Sequence, residues 1–286
     1  MNCDFHTHTN FSACANKENS WESLLRMAEN IGIDKLSITD HNTCLFHVIN
    51  KFINTRKYFS GKIIAGMECD VAEDGYAFEL LAYNFDVIKT FNWAYQIYGT
   101  LETRQSKMKD ALVSLVKNIG LKIDENWPFN GKIDYAHKYI YENLSSFDEN
   151  KSFFEKYKVN SQSDLYRLST GDKDFPLFLD MNQFWPSVVD VVKAIHGAGG
   201  IVVLAHPYNY KGEIDANKLL KLAVSKKLDG IEIIHPSCNK EQSKYLLEFA
   251  KKHKMLVTGG SDYHGTGRHN TLGIDDLNKE NYQFDI

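Results

Sequence analysis

Pairs of side chains that bind metals or carry protons stand at the ends of short apolar runs in this sequence. The run "CDFHTH" ends in His6 and His8, and "KMLVTG" leads into "GGSDYHG", which contains Asp262 and His264. Residues i and i+2 of a β-strand point to the same face, so each pair would present two neighbouring side chains. One such pair is common near a turn, but similar residues end other apolar runs. These are Asp40, His41, Glu68, His206 and His235.

These positions include six of the eleven histidines, together with three carboxylates. Imidazoles crowded at one site are hard to reconcile with a stable fold without a metal ion, because few other partners are available there. Nitrogen and carboxylate ligands suit Zn, Mn, Fe or Co, and a shared Glu68 is suited to bridging two ions. The sequence therefore predicts a metal centre that activates a water nucleophile, without a serine or cysteine nucleophile.

The apolar runs that carry these residues alternate with helical patterns. Seven runs are predicted to be strands, and most are continuous, as in parallel strands that are buried on both faces. Alternating strands and helices predict βαβ units, and seven strands suit a closed or nearly closed β/α barrel. We therefore expect an α/β fold in which the carboxyl ends of the strands bring the candidate ligands to one mouth.

The middle of the chain interrupts this alternation. Residues 95–120 are predicted to form one long helix, and shorter helical patterns follow. We expect residues 1–88 and 190–286 to build the barrel. Residues 89–189 are predicted to form a mostly helical insertion that caps the mouth and selects the substrate.

Composition narrows the possible classes of function. The net charge of −4 gives no electrostatic footprint for nucleic acid, so no stable nucleic-acid partner is expected, whereas a small anionic substrate is compatible with it. Five scattered cysteines without CxxC spacing predict reduced thiols in a cytoplasmic protein. The first ten residues lack the basic and apolar regions of a signal peptide, and no apolar run is long enough to span a membrane, so no membrane association is expected.

Five stretches of the sequence carry the candidate ligands: "DFHTHTNFSACA", "ITDHNT", "GMECD", "LAHP" and "GGSDYHG". Together they resemble the PHP (polymerase and histidinol phosphatase) domain of metal-dependent phosphoesterases. The resemblance implies a distorted seven-stranded β/α barrel and an enzyme that uses two to three divalent ions (Mn, Fe or Zn). The order of the stretches resembles the branch with a helical insertion, which includes nucleotide phosphatases and an RNA 5′-end exonuclease.

The same resemblance assigns roles to the candidate ligands. Glu68 would bridge two ions, and Asp40 would be a catalytic group that orients a ligand imidazole. The first ion would be held by His6, His8, Glu68 and Asp262, the second by Glu68 and His206, and the third by His41 and His264.

Two positions depart from the family pattern. Ala13 stands where many members have an aspartate, so the third ion would rest mainly on two protein ligands and bind weakly. Glu79 stands where many members have a histidine ligand. As a ligand, Glu79 would tilt the second site from Zn towards Mn or Fe, because carboxylates suit harder ions. Glu79 is equally compatible with a solvent-facing carboxylate on a strand.

Three further residues are candidates for contact with a phosphate. Arg104 resembles an arginine that begins the insertion helix in this branch, and Arg268 is a loop cation near the last motif. His235 would bind phosphate or protonate a leaving group. The predicted substrate is a phosphomonoester, such as a nucleotide, a nucleotide bisphosphate or a similar metabolite. The alternatives are a 5′-end exonuclease on short RNA, an amidohydrolase-type C–N hydrolase and a noncatalytic PHP domain.

Overall fold

A computed structural model describes residues 2–12, 15, 17–210, 214–265, 271–273 and 286 of the chain. In these residues seven strands form one sheet, and their spatial order is the same as their order along the chain. The strands are β1 (Cys3–Thr7), β2 (Lys35–Ile38), β3 (Lys62–Glu73), β4 (Tyr76–Tyr83), β5 (Ile201–Leu204), β6 (Gly230–Ile234) and β7 (Leu256–Gly259).

Six of these seven strands run in one direction, and β4 runs against them. β1, β2 and β3 pair in parallel, as do β5, β6 and β7, whereas β4 is antiparallel to both neighbours. The predicted seven-stranded β/α barrel is confirmed, but the parallel direction expected of the strands does not hold for β4. The reason is a two-residue hairpin turn, Asp74-Gly75, in which both residues have positive φ (52° and 84°). Such turns join antiparallel strands.

The ends of the described sheet meet, so that the barrel is nearly closed. A parallel bridge joins Thr7 to Tyr263, and the amide of Asp262 donates to the carbonyl of His6 over 2.8 Å. Gly260 permits this approach, because a Cβ atom there would lie 2.1 Å from His6 Cβ. The closure places the first and last ligand pairs of the sequence beside each other.

Ten α-helices lie in the described residues. Several begin as the sequence predicts; for example, the Ser20 side chain caps α1 by accepting from the amide of Ser23. The helices are α1 (Trp21–Asn30), α2 (Leu45–Asn50), α3 (Val87–Tyr98), α4 (Leu101–Asn118), α5 (Ala136–Ser145), α6 (Lys151–Tyr157), α7 (Gln162–Gly171), α8 (Val188–Gly197), α9 (Ala216–Ser225) and α10 (Lys240–His253).

The single long helix predicted over residues 95–120 is two helices. α3 ends at Gly99, whose φ of 59° is outside the right-handed helical range and is readily adopted by glycine. Thr100 then caps α4, because its side chain accepts a hydrogen bond from the amide of Thr103. The break turns the chain immediately before Arg104.

Four apolar clusters lie among the described residues, and the two largest pack most of these helices. One packs α3, α8, α9 and α10 against the sheet. The other joins α4, α5, α6 and α7 around buried residues such as Leu112, Ile140 and Leu165, and it includes Ala72 of β3. The division into a barrel and a cap stays a prediction.

Within the described part of the chain, no helix combines the length and apolar character needed to cross a bilayer.

Candidate metal centre

Glu68, in the middle of β3, is the centre of a buried cluster of ligand-forming side chains. Its Oε1 lies 3.3 Å from His6 Nε2 and 3.0 Å from His206 Nε2. Its Oε2 lies 3.3 Å from both His8 Nε2 and His41 Nδ1. One carboxylate therefore faces four imidazoles, which come from β1 and from the segments that follow β1, β2 and β5.

Asp262, which follows β7, is the second carboxylate of the cluster. Its Oδ1 lies 3.0 Å from His8 Nε2 and 3.4 Å from His264 Nδ1, and its Oδ2 lies 3.4 Å from His235 Nε2. Asp262 has a φ of 51°, and His206 has a φ of 24°. Positive φ is uncommon for residues other than glycine, and such strain is concentrated at functional sites.

The arrangement of these side chains fits metal ions. The Nε2 atoms of His6 and His8 are buried and make no well-aligned hydrogen bond with the described residues. Both atoms face carboxylate oxygens, and a shared cation is the partner that suits imidazole nitrogen and carboxylate oxygen together. All eight predicted ligands belong to three groups whose ligand atoms lie within 4.8 Å of one another. These groups are His6, His8, Glu68 and Asp262; Glu68, Glu79 and His206; and His8, His41 and His264.

Glu232 is a buried carboxylate of β6 that sequence reasoning missed. Its Oε1 lies 3.0 Å from His6 Nδ1, and its Oε2 accepts a hydrogen bond from the His206 amide over 2.8 Å. A carboxylate at Nδ1 holds the hydrogen on that atom and leaves Nε2 available as a metal ligand. The available signal was a charged residue within the apolar run "GIEII".

Asp40 is buried beneath the candidate ligands. Its carboxylate accepts hydrogen bonds from the Thr9 amide, the Thr9 hydroxyl and the Ser12 hydroxyl, over 2.7, 2.8 and 2.7 Å. Burial raises the pKa of Asp40 to about 6, although these hydrogen bonds oppose the rise. Asp40 reaches the His8 imidazole through Ser12, so its predicted orienting role would be indirect.

His235 differs from the other histidines in the position of its hydrogen. The backbone amide of Ser237 donates to His235 Nδ1 over 3.0 Å, so Nδ1 carries a lone pair and the hydrogen of the neutral ring is on Nε2. Burial lowers the pKa of His235, which favours the neutral ring. His235 therefore offers an N–H donor towards the cluster.

Glu79 projects into the cluster from β4, and a tyrosine holds it in place. The Tyr210 hydroxyl donates to Glu79 Oε2 over 3.0 Å and accepts from the Glu79 amide over 2.9 Å. The same oxygen lies 3.4 Å from His206 Nε2. Asp70 pairs with Glu79 across the β3–β4 hairpin and adds a further carboxylate beside it. This side of the cluster is therefore rich in oxygen.

The carboxylates and imidazoles of the cluster alter one another's protonation. Burial alone would lower the pKa of His206, but Glu68 and Glu79 outweigh burial and raise it to about 9. Burial would likewise raise the pKa of Glu68 and Asp262, but the histidines hold both well below their usual range. The carboxylates are thus ionised and require positive charge nearby. A divalent ion supplies that charge while the imidazoles bind as neutral ligands.

A family model for the PHP domain matches residues 4–158, which is more than half of the chain. The chain belongs to the PHP domain family. The seven-stranded barrel is therefore that of a PHP protein, as the sequence motifs predict.

Three known proteins show how far the similarity of this PHP chain extends. A phosphoribosyl 1,2-cyclic phosphate 1,2-diphosphodiesterase of Eggerthella lenta is 40% identical over 76 residues, which are 27% of this chain and 28% of that protein. A 5′-3′ exoribonuclease of Haemophilus influenzae is 24% identical over 91% of this chain and 89% of its own. A solved structure from Bifidobacterium adolescentis, provisionally assigned as a metal-dependent phosphoesterase, has a TM-score of 0.64 and 22% identity, with 97% and 94% of the two chains covered. That structural likeness supports the fold.

Arg104 lies on the first turn of α4, near the oxygen-rich side of the PHP site. Its Nη1 donates to the carbonyls of Tyr98 and Gly99 over 2.7 and 3.1 Å, and its guanidinium lies 5.8 Å from the ring centre of Trp185. Its Nε is buried and has no hydrogen-bond partner among the described residues. Burial lowers the pKa of Arg104, and the charge of Asp70 opposes this.

Two sequence expectations, for Arg268 and Ala13, fall outside the described residues.

Proposed function

We propose that this PHP protein is a metal-dependent phosphoesterase that hydrolyses a small phosphomonoester, such as a nucleotide, a nucleotide bisphosphate or a similar metabolite. The observation that carries the proposal is the buried carboxylate of Glu68, which faces four imidazoles. Two of these, His6 and His8, direct buried Nε2 atoms towards carboxylates without a well-aligned hydrogen bond. Such an arrangement is expected of residues that share divalent ions.

The proposed site holds two to three ions of Mn, Fe or Zn. Glu68 is the proposed bridge, since its two oxygens face different histidines. When bound, these ions supply an activated water nucleophile and neutralise phosphoryl oxygens. The proposed sets are His6, His8, Glu68 and Asp262 for the first ion, Glu68, Glu79 and His206 for the second, and His41 and His264 for the third.

Two side chains are proposed to contact the phosphate directly. His235 presents Nε2–H, and because a neutral imidazole is a poor acid, it is better suited to donating a hydrogen bond to a phosphoryl oxygen than to protonating a leaving group. Arg104 is held by backbone carbonyls with its Nε unused, and guanidinium groups bind phosphate through several N–H donors. Arg268 stays a third candidate on sequence grounds. Asp40 is proposed to maintain the geometry of the ligands.

A second candidate function is removal of nucleotides from the 5′ end of short RNA. The exoribonuclease from H. influenzae aligns with 91% of this chain, which favours this candidate over a C–N hydrolase or a noncatalytic domain. The net charge of −4 favours small or short substrates over long nucleic acid. A cytoplasmic location is part of the proposal, and it rests on the pattern of cysteines.

The decisive experiment compares ester classes in the presence and absence of metal. Purified protein is treated with a chelator, reconstituted with Mn²⁺, and assayed on p-nitrophenyl phosphate, bis(p-nitrophenyl) phosphate and a short RNA with a 5′-phosphate. We expect activity on the monoester that the chelator abolishes and Mn²⁺ restores. Full activity in metal-free protein would contradict the mechanism, and faster turnover of the RNA would favour the second candidate.

Arg104→Ala tests the proposed phosphate contact. We expect a higher KM or a lower kcat with unchanged metal content, because the guanidinium would bind the substrate and not the ions. Arg167→Ala, which removes an exposed arginine of α7, is the matched control. Loss of metal in Arg104→Ala would show that Arg104 supports the ion site instead.

A further inference from the structure

The hydroxyl group of Ser12 lies where three parts of the site meet. Ser12 Oγ is 2.7 Å from Asp40 Oδ1, 2.9 Å from the His41 amide nitrogen and 3.2 Å from His8 Nδ1. Ser12 is 1% exposed, so water does not compete for these contacts. The hydroxyl thereby links the ends of β1 and β2.

The hydrogen in each of these contacts can be assigned from simple chemistry. Both oxygens of Asp40 accept hydrogen bonds, Oδ1 from the Thr9 amide and Oδ2 from the Thr9 hydroxyl, and the Ser12 hydroxyl likewise donates to Oδ1. The backbone amide of His41 only donates, so it occupies one lone pair of Ser12 Oγ. The hydroxyl has no second hydrogen, and its remaining lone pair faces His8. His8 Nδ1 must therefore carry a hydrogen and donate it to Ser12.

We propose that Ser12 is a positioning residue that fixes His8 in the Nδ1–H form and keeps its Nε2 lone pair available for an ion. In this form Nε2 lies 3.0 Å from Asp262 Oδ1 and 3.3 Å from Glu68 Oε2. The inference rests on the proposed function in one respect, because the tautomer matters only if His8 binds metal.

His6 and His8 are thus oriented in two different ways. His6 Nδ1 contacts the Glu232 carboxylate directly, over 3.0 Å. His8 Nδ1 contacts a neutral hydroxyl, and the carboxylate of Asp40 is one hydrogen bond further away. Both arrangements leave Nε2 free of hydrogen. The relay through Ser12 also connects the His8 imidazole to the backbone amide of His41.

Metal affinity gives the first test of this role. Wild-type protein and Ser12→Ala are titrated with Zn²⁺ and with Mn²⁺ in competition with a chromophoric chelator. Removal of a group that orients a metal-binding side chain weakens metal binding by about 10- to 100-fold, and we expect Ser12→Ala to lose affinity in that range. Ser37→Ala is the matched control, because the Ser37 hydroxyl is equally buried but donates only to the Ile64 carbonyl. Ser12→Thr keeps a hydroxyl and should restore affinity.

The tautomer of His8 gives the second test, which a merely structural role would not affect. Two-bond ¹H–¹⁵N spectra of metal-free protein report which ring nitrogen carries the hydrogen, and a His8→Gln variant assigns the signal. We expect the Nδ1–H form in wild type and in Ser12→Thr, and a mixture or the Nε2–H form in Ser12→Ala.

The outcomes separate this inference from the proposed function. An Nε2–H form in wild-type protein would overturn the role of Ser12, even if Ser12→Ala does not fold. Equal metal affinity of wild type and Ser12→Ala would overturn it as well. Failure of the wild-type protein to bind either metal would instead overturn the proposed function, whatever the tautomer of His8.

Discussion

The two sides of the barrel mouth differ in their candidate ligands. The nitrogen side consists of His8, His41 and His264, whose rings pack with centres 4.2 Å (His8 to His264) and 4.8 Å (His8 to His41) apart. The oxygen side consists of Glu68, Glu79 and His206, with Asp70 close by. The nitrogen side comes from the segments after β1, β2 and β7, and the oxygen side comes from β3, β4 and the segment after β5.

One end of the barrel therefore presents two different sets of candidate ligands. Imidazole ligands suit Zn²⁺ well, whereas carboxylates favour harder ions such as Mn²⁺. Glu68 belongs to both environments, because its Oε2 faces His8 and His41 while its Oε1 faces His206. Substitutions can therefore be chosen that affect both sides, that remove a ligand of one side, or that replace an oxygen ligand of one side with a nitrogen ligand.

Glu68→Gln should have the largest effect, because it removes the negative charge that the two sides share. We expect kcat to fall roughly a thousandfold or more, which is a loss of about 4 kcal/mol, together with most of the bound metal. Steady-state kinetics and elemental analysis measure the two losses. Glu73→Gln makes the same change at the end of β3 and should be near wild type. Normal metal content in Glu68→Gln would contradict the bridging role.

His264→Ala should affect the nitrogen side alone. We expect the loss of about one ion per chain and a smaller fall in activity than in Glu68→Gln, because the oxygen side keeps all of its ligands. Metal stoichiometry and the electron paramagnetic resonance of Mn²⁺-loaded protein measure this. His253→Ala, at the end of α10, is the control. Loss of every ion in His264→Ala would show that the two sides do not bind independently.

Glu79→His should change the identity of the metal more than its amount. It replaces an oxygen ligand with an imidazole, so we expect the preference between Zn²⁺ and Mn²⁺ to shift towards Zn²⁺, by roughly tenfold. Competition between the two ions during reconstitution measures the ratio. Tyr210→Phe, which removes the hydrogen bond to Glu79 but no ligand, provides the comparison. An unchanged preference in Glu79→His would mean that Glu79 does not bind an ion.

His137, in α5, has no carboxylate neighbour among the described residues, and its substitution should have the smallest effect at neutral pH. Burial lowers its pKa to about 4, so the folded state favours the neutral ring. The unfolded chain takes up the proton first, below pH about 6.5, and stability is lost as the pH falls from there to about 4. This loss amounts to up to about 3 kcal/mol of the free energy of unfolding, and we expect it to be absent in His137→Gln.

Denaturant unfolding at pH 7 and pH 4.5 measures the difference for His137→Gln. His196→Gln, which changes an exposed histidine of α8, should keep the acid sensitivity of the wild type. Equal acid sensitivity in wild type and His137→Gln would show that other groups determine it.

The sequence predicts the fold and the ligand cluster well because both depend on short-range patterns. Strand ends mark His6, His8 and Asp262, and the period of two accounts for the pair His6 and His8. Asp262 follows β7 with a φ of 51°, so its closeness to His264 depends on the turn and not on that period. The direction of β4 could not be predicted from its apolar run, because direction depends on the turn Asp74-Gly75 and on pairing with distant strands. The break at Gly99 was missed because the helical periodicity continues across it.

The groups that orient the ligands were harder to predict. Glu232 and Ser12 act through contacts with residues that are distant in the chain or in another strand, and nothing in their local spacing identifies a partner. Serine is also common in loops, so its type gives little information. Asp40 was identified beside His41, but its route through Ser12 depends on the folded backbone.

The bridge between Thr7 and Tyr263 also bears on the order in which the barrel assembles. The β3–β4 hairpin joins neighbours in the chain, whereas the seam between Thr7 and Tyr263 requires opposite ends of the chain to meet. Closing so long a loop costs conformational entropy, so we expect the seam to form slowly. His8 and Asp262 lie on the two sides of this seam, so an ion bound by both residues would stabilise the closed barrel. An ion present at a hundred times its dissociation constant would add about 2.7 kcal/mol to the closed state. In a cell short of metal, the seam would open more often and expose strand edges to proteases and to aggregation.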